Sequence, residues 1–186
     1  MSRIVKIGGK YRIISKIADS NYTKVYKVAA DGDNLFALKL AGGNERTYND
    51  LIVHEYSILA NITHPHIVRV YDFDLNADGR LYFTMEYIKG SPIDKYFVHF
   101  SEEFVIAIMQ LLTALETLQS RGFIHNDLTP EHILYDVEQK RTVLLDFGFA
   151  NVTGAQSPRC GTIGYVSPEI VKGATADQRS DLYSLG

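Results

Sequence analysis

The stretch His125-Asn126-Asp127-Leu128-Thr129-Pro130-Glu131-His132-Ile133-Leu134, with Asp146-Phe147-Gly148 downstream of it, decides how this chain is read. The apolar strand-like run Thr142-Val143-Leu144-Leu145 leads into the triplet, so the carboxylates of Asp127 and Asp146 flank a predicted β-hairpin. Asp127 falls on a loop, where an acid can orient a hydroxyl nucleophile, and Asp146 falls at a strand end, where an acid can hold a metal ion.

Upstream, short β-branched and aromatic runs at 11–17, 24–29 and 35–40 are separated by turn residues such as Asp31-Gly32-Asp33-Asn34, predicting three antiparallel strands. Leu51, Ile52, Ile58 and Leu59 recur at helical spacing over 47–61, and His64-Pro65 closes that helix. Two further strands, 68–73 and 81–87, bracket Asn76-Ala77-Asp78-Gly79. Ser101 before Glu102 and Glu103 is a helix start, because the hydroxyl can cap free amides and the acids favour the positive end of the helix. That helix should reach Ser120 and stop at Arg121-Gly122. The expectation is an α+β chain: an antiparallel sheet region over 1–87, then a helix-rich region over 88–186.

From about Tyr11 to Gly186 this order of motifs resembles the protein kinase superfamily, whose catalytic loop reads H-R-D-L-x-x-x-N and whose metal motif reads D-F-G. The resemblance implies a bilobal fold, with a nucleotide-binding sheet lobe and a helical lobe that is incomplete here. It assigns Lys39, in Phe36-Ala37-Leu38-Lys39, to the phosphates of ATP and Glu55 to the ion pair that positions that lysine. Ile17, Val25, Ala37 and Leu134 would line the adenine pocket, Met85 would be its gatekeeper, and Glu86-Tyr87-Ile88 the hinge backbone. Asp146 and His132 would hold Mg²⁺ or Mn²⁺, and Asp127 would act on the substrate hydroxyl. Leu59, Val70, His125 and Phe147 match an internal packing column, with the His125 imidazole satisfied by backbone. Cys160-Gly161-Thr162 through Ser167-Pro168-Glu169 resembles the end of an activation segment, where Thr162 ties the substrate loop to the catalytic aspartate. Asp181 matches the aspartate that holds the catalytic-loop backbone from the start of a central helix.

The departures are equally specific. Ala18, Ser20 and Thr23 stand where the phosphate-covering loop has glycines, which should stiffen that cover and weaken ATP binding. Asp19 would add a negative charge near the phosphates, offset by Lys24. His132 replaces an asparagine and, as an imidazole ligand, should favour Mn²⁺ over Mg²⁺. Thr129 replaces a lysine that contacts the transferring phosphate, and Asn126 replaces the arginine that docks a phosphorylated activation loop, so loop phosphorylation should not be the activating event.

A net charge of −3 makes no broad electrostatic case for nucleic acid or anionic membrane as a partner. The lone cysteine, Cys160, fits a reducing, cytoplasmic setting and reads as a small buried hydrophobe. The opening Met1-Ser2-Arg3-Ile4-Val5-Lys6 lacks the apolar stretch of a secretory signal, and no run approaches the length of a membrane span. Because the chain stops just inside the central helix, it reads as a piece of a longer protein, the alternative being a naturally abbreviated kinase-like chain. On that reading Leu111, Leu112, Leu115 and Leu118 should face water and promote self-association. The expected activity is ATP-dependent phosphorylation of Ser/Thr in protein substrates. The alternatives are a pseudokinase binding nucleotide or a protein partner, and a small-molecule or sugar kinase.

Overall fold

The computed structural model describes residues 6–154 and 161–186, so the expectation for Cys160 lies outside the described residues. The chain forms two compact units, one of residues 1–63 and 69–88 and the other of residues 64–68 and 89–186.

Among the described residues, the first unit is a six-stranded antiparallel sheet with one α-helix and a single 3-10 turn at Asp31–Asp33. Its elements are β1 (Lys6–Ile7), β2 (Tyr11–Asp19), β3 (Thr23–Ala29), β4 (Leu35–Ala41), α1 (Arg46–Leu59), β5 (Val70–Leu75) and β6 (Leu81–Glu86), with strand order β1-β2-β3-β4-β6-β5. The period-2 alternation of β4 divides its side chains between the two faces. Leu38 and Leu40 join Tyr11, Val28 and Tyr82 on one face, while Ala41 joins Phe83 and Ile52 of α1 on the other. Lys39 shares the α1 face with Ala41 by that alternation. α1 buries Ile52, Glu55, Ile58 and Leu59, a stripe at helical spacing that includes one acid.

In the second unit follow β7 (Ser91–Pro92), α2 (Ile93–Tyr96), α3 (Glu102–Ser120), β8 (Phe123–Ile124), β9 (Ile133–Asp136), β10 (Arg141–Leu144), β11 (Asn151–Val152), α4 (Pro168–Val171) and α5 (Gln178–Leu185). β9 and β10 are the hairpin that separates Asp127 from Asp146, and β7 pairs on the far edge of β9. Segment 64–68 belongs here because the Val68 amide donates to Leu144 O and the Leu144 amide donates to His66 O. α3 begins where the capping argument puts it: Ser101 Oγ accepts from the Phe104 amide at 3.1 Å. It ends at Gly122, whose φ of 75° only glycine adopts without strain.

The expectation for the α3 leucines is corrected by this unit. Leu111, Leu115 and Leu118 are buried, together with Ala107 and Ala114, on the stripe that α3 turns toward β8 and β10. Thr142 of β10 also reaches α3 directly, its amide donating to Gln110 Oε1 at 2.8 Å and its hydroxyl to Ala107 O at 3.1 Å. Leu112 is partly buried beside a cavity of about 180 Å³ bounded by Asp181 and Leu182 of α5. The leucine surface expected to drive self-association is therefore largely consumed within the unit. The exposed apolar side chains of α3 are instead Val105, Ile106 and Met109. No helix among the described residues is long and apolar enough to cross a membrane.

Candidate active site

In the first unit, strand register determines which side chains can act together. Directly opposed residues share a sheet face, and Lys39 opposes Val25 and Phe83 while Ala37 opposes Lys27 and Met85. Val25, Ala37, Lys39 and Met85 therefore lie on one face. Lys39 Nζ meets Glu55 Oε2 at 2.6 Å, with only 6% and 3% of the two side chains exposed. Neither charge could be buried alone at tolerable cost, so each requires the other. Of the remaining residues of this unit expected at adenine and the hinge, Ile88 is buried, Glu86 and Tyr87 are half-buried with Lys27 Nζ 4.3 Å over the Tyr87 ring, and Ile17 is exposed.

Ile17 is the extra residue of a β-bulge: Lys16 pairs with Tyr26 and Ala18 with Val25, leaving Ile17 unpaired. The bulge restores Lys16 and Asp19 to the same face, and Lys16 Nζ bonds Asp19 Oδ2 at 2.6 Å. This corrects two expectations. Asp19 is partnered chiefly by Lys16, with Lys24 a smaller influence, and the Lys16 bond holds its carboxyl below the ordinary value. Ala18, opposite Val25, takes the Lys39 face, so Asp19 points to the other one.

The second unit assembles its polar groups around residues 125–132. Asp181 near the start of α5 accepts from the His125 amide at 2.8 Å (Oδ2) and the Asn126 amide at 2.9 Å (Oδ1). Burial pushes the Asp181 carboxyl above its ordinary value against the pull of those amides and of His125. With its backbone clamped, Asn126 adopts a φ of 66°, and its side-chain amide donates to Phe149 O at 3.1 Å. His125 is fully buried, donates through Nε2 to Leu145 O at 3.0 Å and packs edge-on against Phe147 with ring centroids 4.9 Å apart. Burial pushes its imidazole below the usual value, which suits a neutral packing residue and not a base. Leu59 and Val70, the other two members of the expected column, belong to the first unit.

Asp127 is buried, and one of its oxygens is fully engaged. Oδ1 accepts from both the amide and the hydroxyl of Thr162, each at 2.9 Å. Gly161 lets that segment approach, since a Cβ there would stand 3.1 Å from Asn126 O and 2.8 Å from Val166 Cγ2. The segment is held further on by Ser184 Oγ donating to Tyr165 O and Ser180 Oγ donating to Glu169 Oε1, both at 2.7 Å. Oδ2 of Asp127 lies 3.4 Å from His132 Nδ1, which donates to Asp127 O at 2.8 Å.

That last bond fixes the His132 tautomer. With the proton on Nδ1, the Nε2 lone pair is available, and it lies 3.9 Å from Asp146 Oδ2. Asp146, at a φ of 57°, projects a carboxylate that is 40% exposed. One carboxylate and one imidazole are a fitting donor pair for a divalent ion that takes its other ligands from phosphate and water. Among the described residues no cluster of three or more metal-binding side chains exists, so protein ligands alone do not make a closed metal site. Leu134 on β9 is half-buried, and Thr129 is buried beside the loop.

Three features escape sequence reasoning: the positive φ of Asn126, its bond to Phe149, and a side-chain tie across the β2–β3 turn. In that turn Ser20 Oγ accepts from the Thr23 amide at 3.0 Å and the Tyr22 amide at 3.3 Å. The spacing Ser20-x-x-Thr23 was the available signal for the tie.

Comparison with known proteins agrees with this geometry. The chain is similar to the serine/threonine-protein kinase pkn3 of Myxococcus xanthus, 32% identical, covering 97% of this chain and 37% of that protein. It is also similar to the human serine/threonine-protein kinase Nek10, 34% identical, covering 98% of this chain and 17% of that protein. The chain spans less than half the length of these curated relatives. Among solved structures it resembles the Cydia pomonella granulovirus kinase PK-1 with a TM-score of 0.77 and 27% identity, covering 95% of this chain and 68% of that one. The family model described as "Protein kinase domain" matches residues 11–186. With that match, and with the paired Lys39 and Glu55, the clamped loop at Asp127 and the Asp146-Phe147-Gly148 turn, the chain belongs to the protein kinase family and has a kinase-like fold.

Proposed function

We propose that the protein transfers the γ-phosphate of ATP to Ser or Thr hydroxyls of protein substrates, in a cytoplasmic setting, with Mg²⁺ or Mn²⁺ as the metal. The observation that carries this reading is the pair of hydrogen bonds that the Thr162 amide and hydroxyl donate to Asp127 Oδ1. It immobilises the carboxylate and leaves Oδ2 to accept the substrate's hydroxyl proton. Lys39, held by Glu55, places its charge on the nucleotide phosphates. In the first unit, Val25, Ala37 and Ile17 would cover one face of adenine, and the Glu86 to Ile88 backbone beside Met85 would bind its edge. Asp146 and His132 Nε2 would hold the metal, which supplies charge neutralisation for the phosphates. Thr129 contributes no charge, so Lys39 and the metal bear more of the transition-state stabilisation.

A second reading, nucleotide binding without transfer, is favoured by the closed turn at Ser20. One assay separates the two: phosphate transfer from labelled ATP to a generic protein substrate, with each metal, for the wild type and Asp127→Asn. Transfer to Ser/Thr that falls by at least about 100-fold in the variant supports catalysis by Asp127. Nucleotide binding with no transfer in either protein establishes the second reading.

A further inference from the structure

The turn between β2 and β3 is closed by its own side chain. Ser20 Oγ accepts from the Thr23 and Tyr22 amides at 3.0 and 3.3 Å and lies 3.1 Å from Thr23 O, to which it donates. The Ser20 amide donates to Thr23 O at 2.9 Å. A hydroxyl has one proton and two lone pairs, so this one is saturated, and three of the turn's amides are already engaged. The turn is also pinned from outside. The Gly42 amide donates to Tyr22 O at 2.7 Å, a Cβ on Gly42 would stand 2.8 Å from that same oxygen, and the Tyr22 ring lies 6.3 Å from that of Tyr48 on α1.

Successive backbone amides converging on one point form an anion-binding concavity, and here the converging amides meet an oxygen of the chain itself. We propose that Ser20 Oγ is a built-in competitor for nucleotide phosphate. It occupies the amides that would grip a phosphate oxygen, so the phosphates are held by Lys39 and the metal with no contribution from this turn, and a third phosphate adds little to affinity. This inference rests on the proposed function, because it takes ATP as the ligand of the Lys39 face. Ser20 acts on phosphate through the Tyr22 and Thr23 amides and is a specificity-determining residue, not a catalytic one.

The experiment is calorimetric titration of the protein with ATP, ADP and adenosine at fixed Mn²⁺, for the wild type, Ser20→Ala and Ser20→Thr. Ser20→Ala removes the hydroxyl without adding backbone freedom, and Ser20→Thr retains it. The wild type should bind ATP and ADP about equally. Ser20→Ala should bind ATP about tenfold more tightly, the value of a hydrogen bond to a charged acceptor, with adenosine affinity unchanged. Ser20→Thr should behave as the wild type. A ratio of ATP to adenosine affinity that is the same in Ser20→Ala and wild type overturns the role of Ser20 while leaving nucleotide binding intact. Failure of ATP and adenosine to bind any of the three proteins overturns the proposed function, and the inference with it.

Discussion

Replacing Asp181 by alanine removes one buried side chain and takes the acceptor away from two amides, those of the buried residues His125 and Asn126. Each buried donor left without a partner costs about 1 to 3 kcal/mol, giving roughly 2 to 6 for the pair. Part is recovered, because burial already raises the Asp181 carboxyl above its ordinary value, a sign that desolvation outweighs its bonds. The expected net loss is about 2 to 4 kcal/mol, a large fraction of the 5 to 15 kcal/mol typical of a domain. At a urea dependence of roughly 2 kcal/mol per molar this moves the denaturation midpoint by about 1 to 2 M. Hydrogen exchange supplies the residue-specific readout: the His125 and Asn126 amides should lose protection before the rest of the unit. Transfer activity should fall as well, since the backbone strain of Asn126 at positive φ persists only while that clamp holds. A midpoint shift below about 0.3 M, with both amides still protected, would refute the reasoning.

Lys39→Met takes from buried Glu55 its ion pair with Lys39, and should both weaken ATP binding and destabilise the first unit by about 3 to 5 kcal/mol; equal ATP titrations for variant and wild type would remove the role assigned to Lys39. His125 is held neutral by burial, so the unfolded chain takes up a proton near pH 6.5 that the folded chain refuses, and this site's stability contribution declines as pH falls below that value. Asp181, raised by the same burial, opposes that trend, so the comparison is with His125→Gln, whose thermal melting should lose less between pH 6.5 and 5 than the wild type's. His132→Asn should raise the Mg²⁺-supported rate relative to the Mn²⁺-supported one; an unchanged metal preference would make His132 structural.

How far the sequence could be read follows from the range of the interactions involved. α3 was legible to its ends, because Ser101, Glu102 and Gly122 act on their own neighbours. Asp127, Asp146, Lys39 and Glu55 were legible because motif order names them. The α3 leucines were misread because their cover comes from β8 and β10, and which helix face a strand packs against is a long-range matter that even the readable run at 142–145 does not state. Asp19 was misassigned for a subtler reason: in an unbroken strand residues three apart take opposite faces, and only the bulge at Ile17 brings Lys16 round to it. The Ser20 tie and the positive φ of Asn126 depend on which amides lack other partners, which composition does not reveal.

Segment 64–68 gives the chain an interlaced topology. It is made early, between α1 and β5, yet it seats against Leu144 of β10, so the polypeptide passes from one unit to the other and back before passing over again after residue 88. Neither unit is a continuous length of chain. Cutting at residue 88 would therefore leave the C-terminal piece with β10 stripped of an edge partner, and the N-terminal piece with a severed clip bearing His64 and His66. Dissection of this protein into separately folding halves requires grafting 64–68 onto the second piece, and during synthesis this strip of chain waits for β10, its counterpart, to emerge.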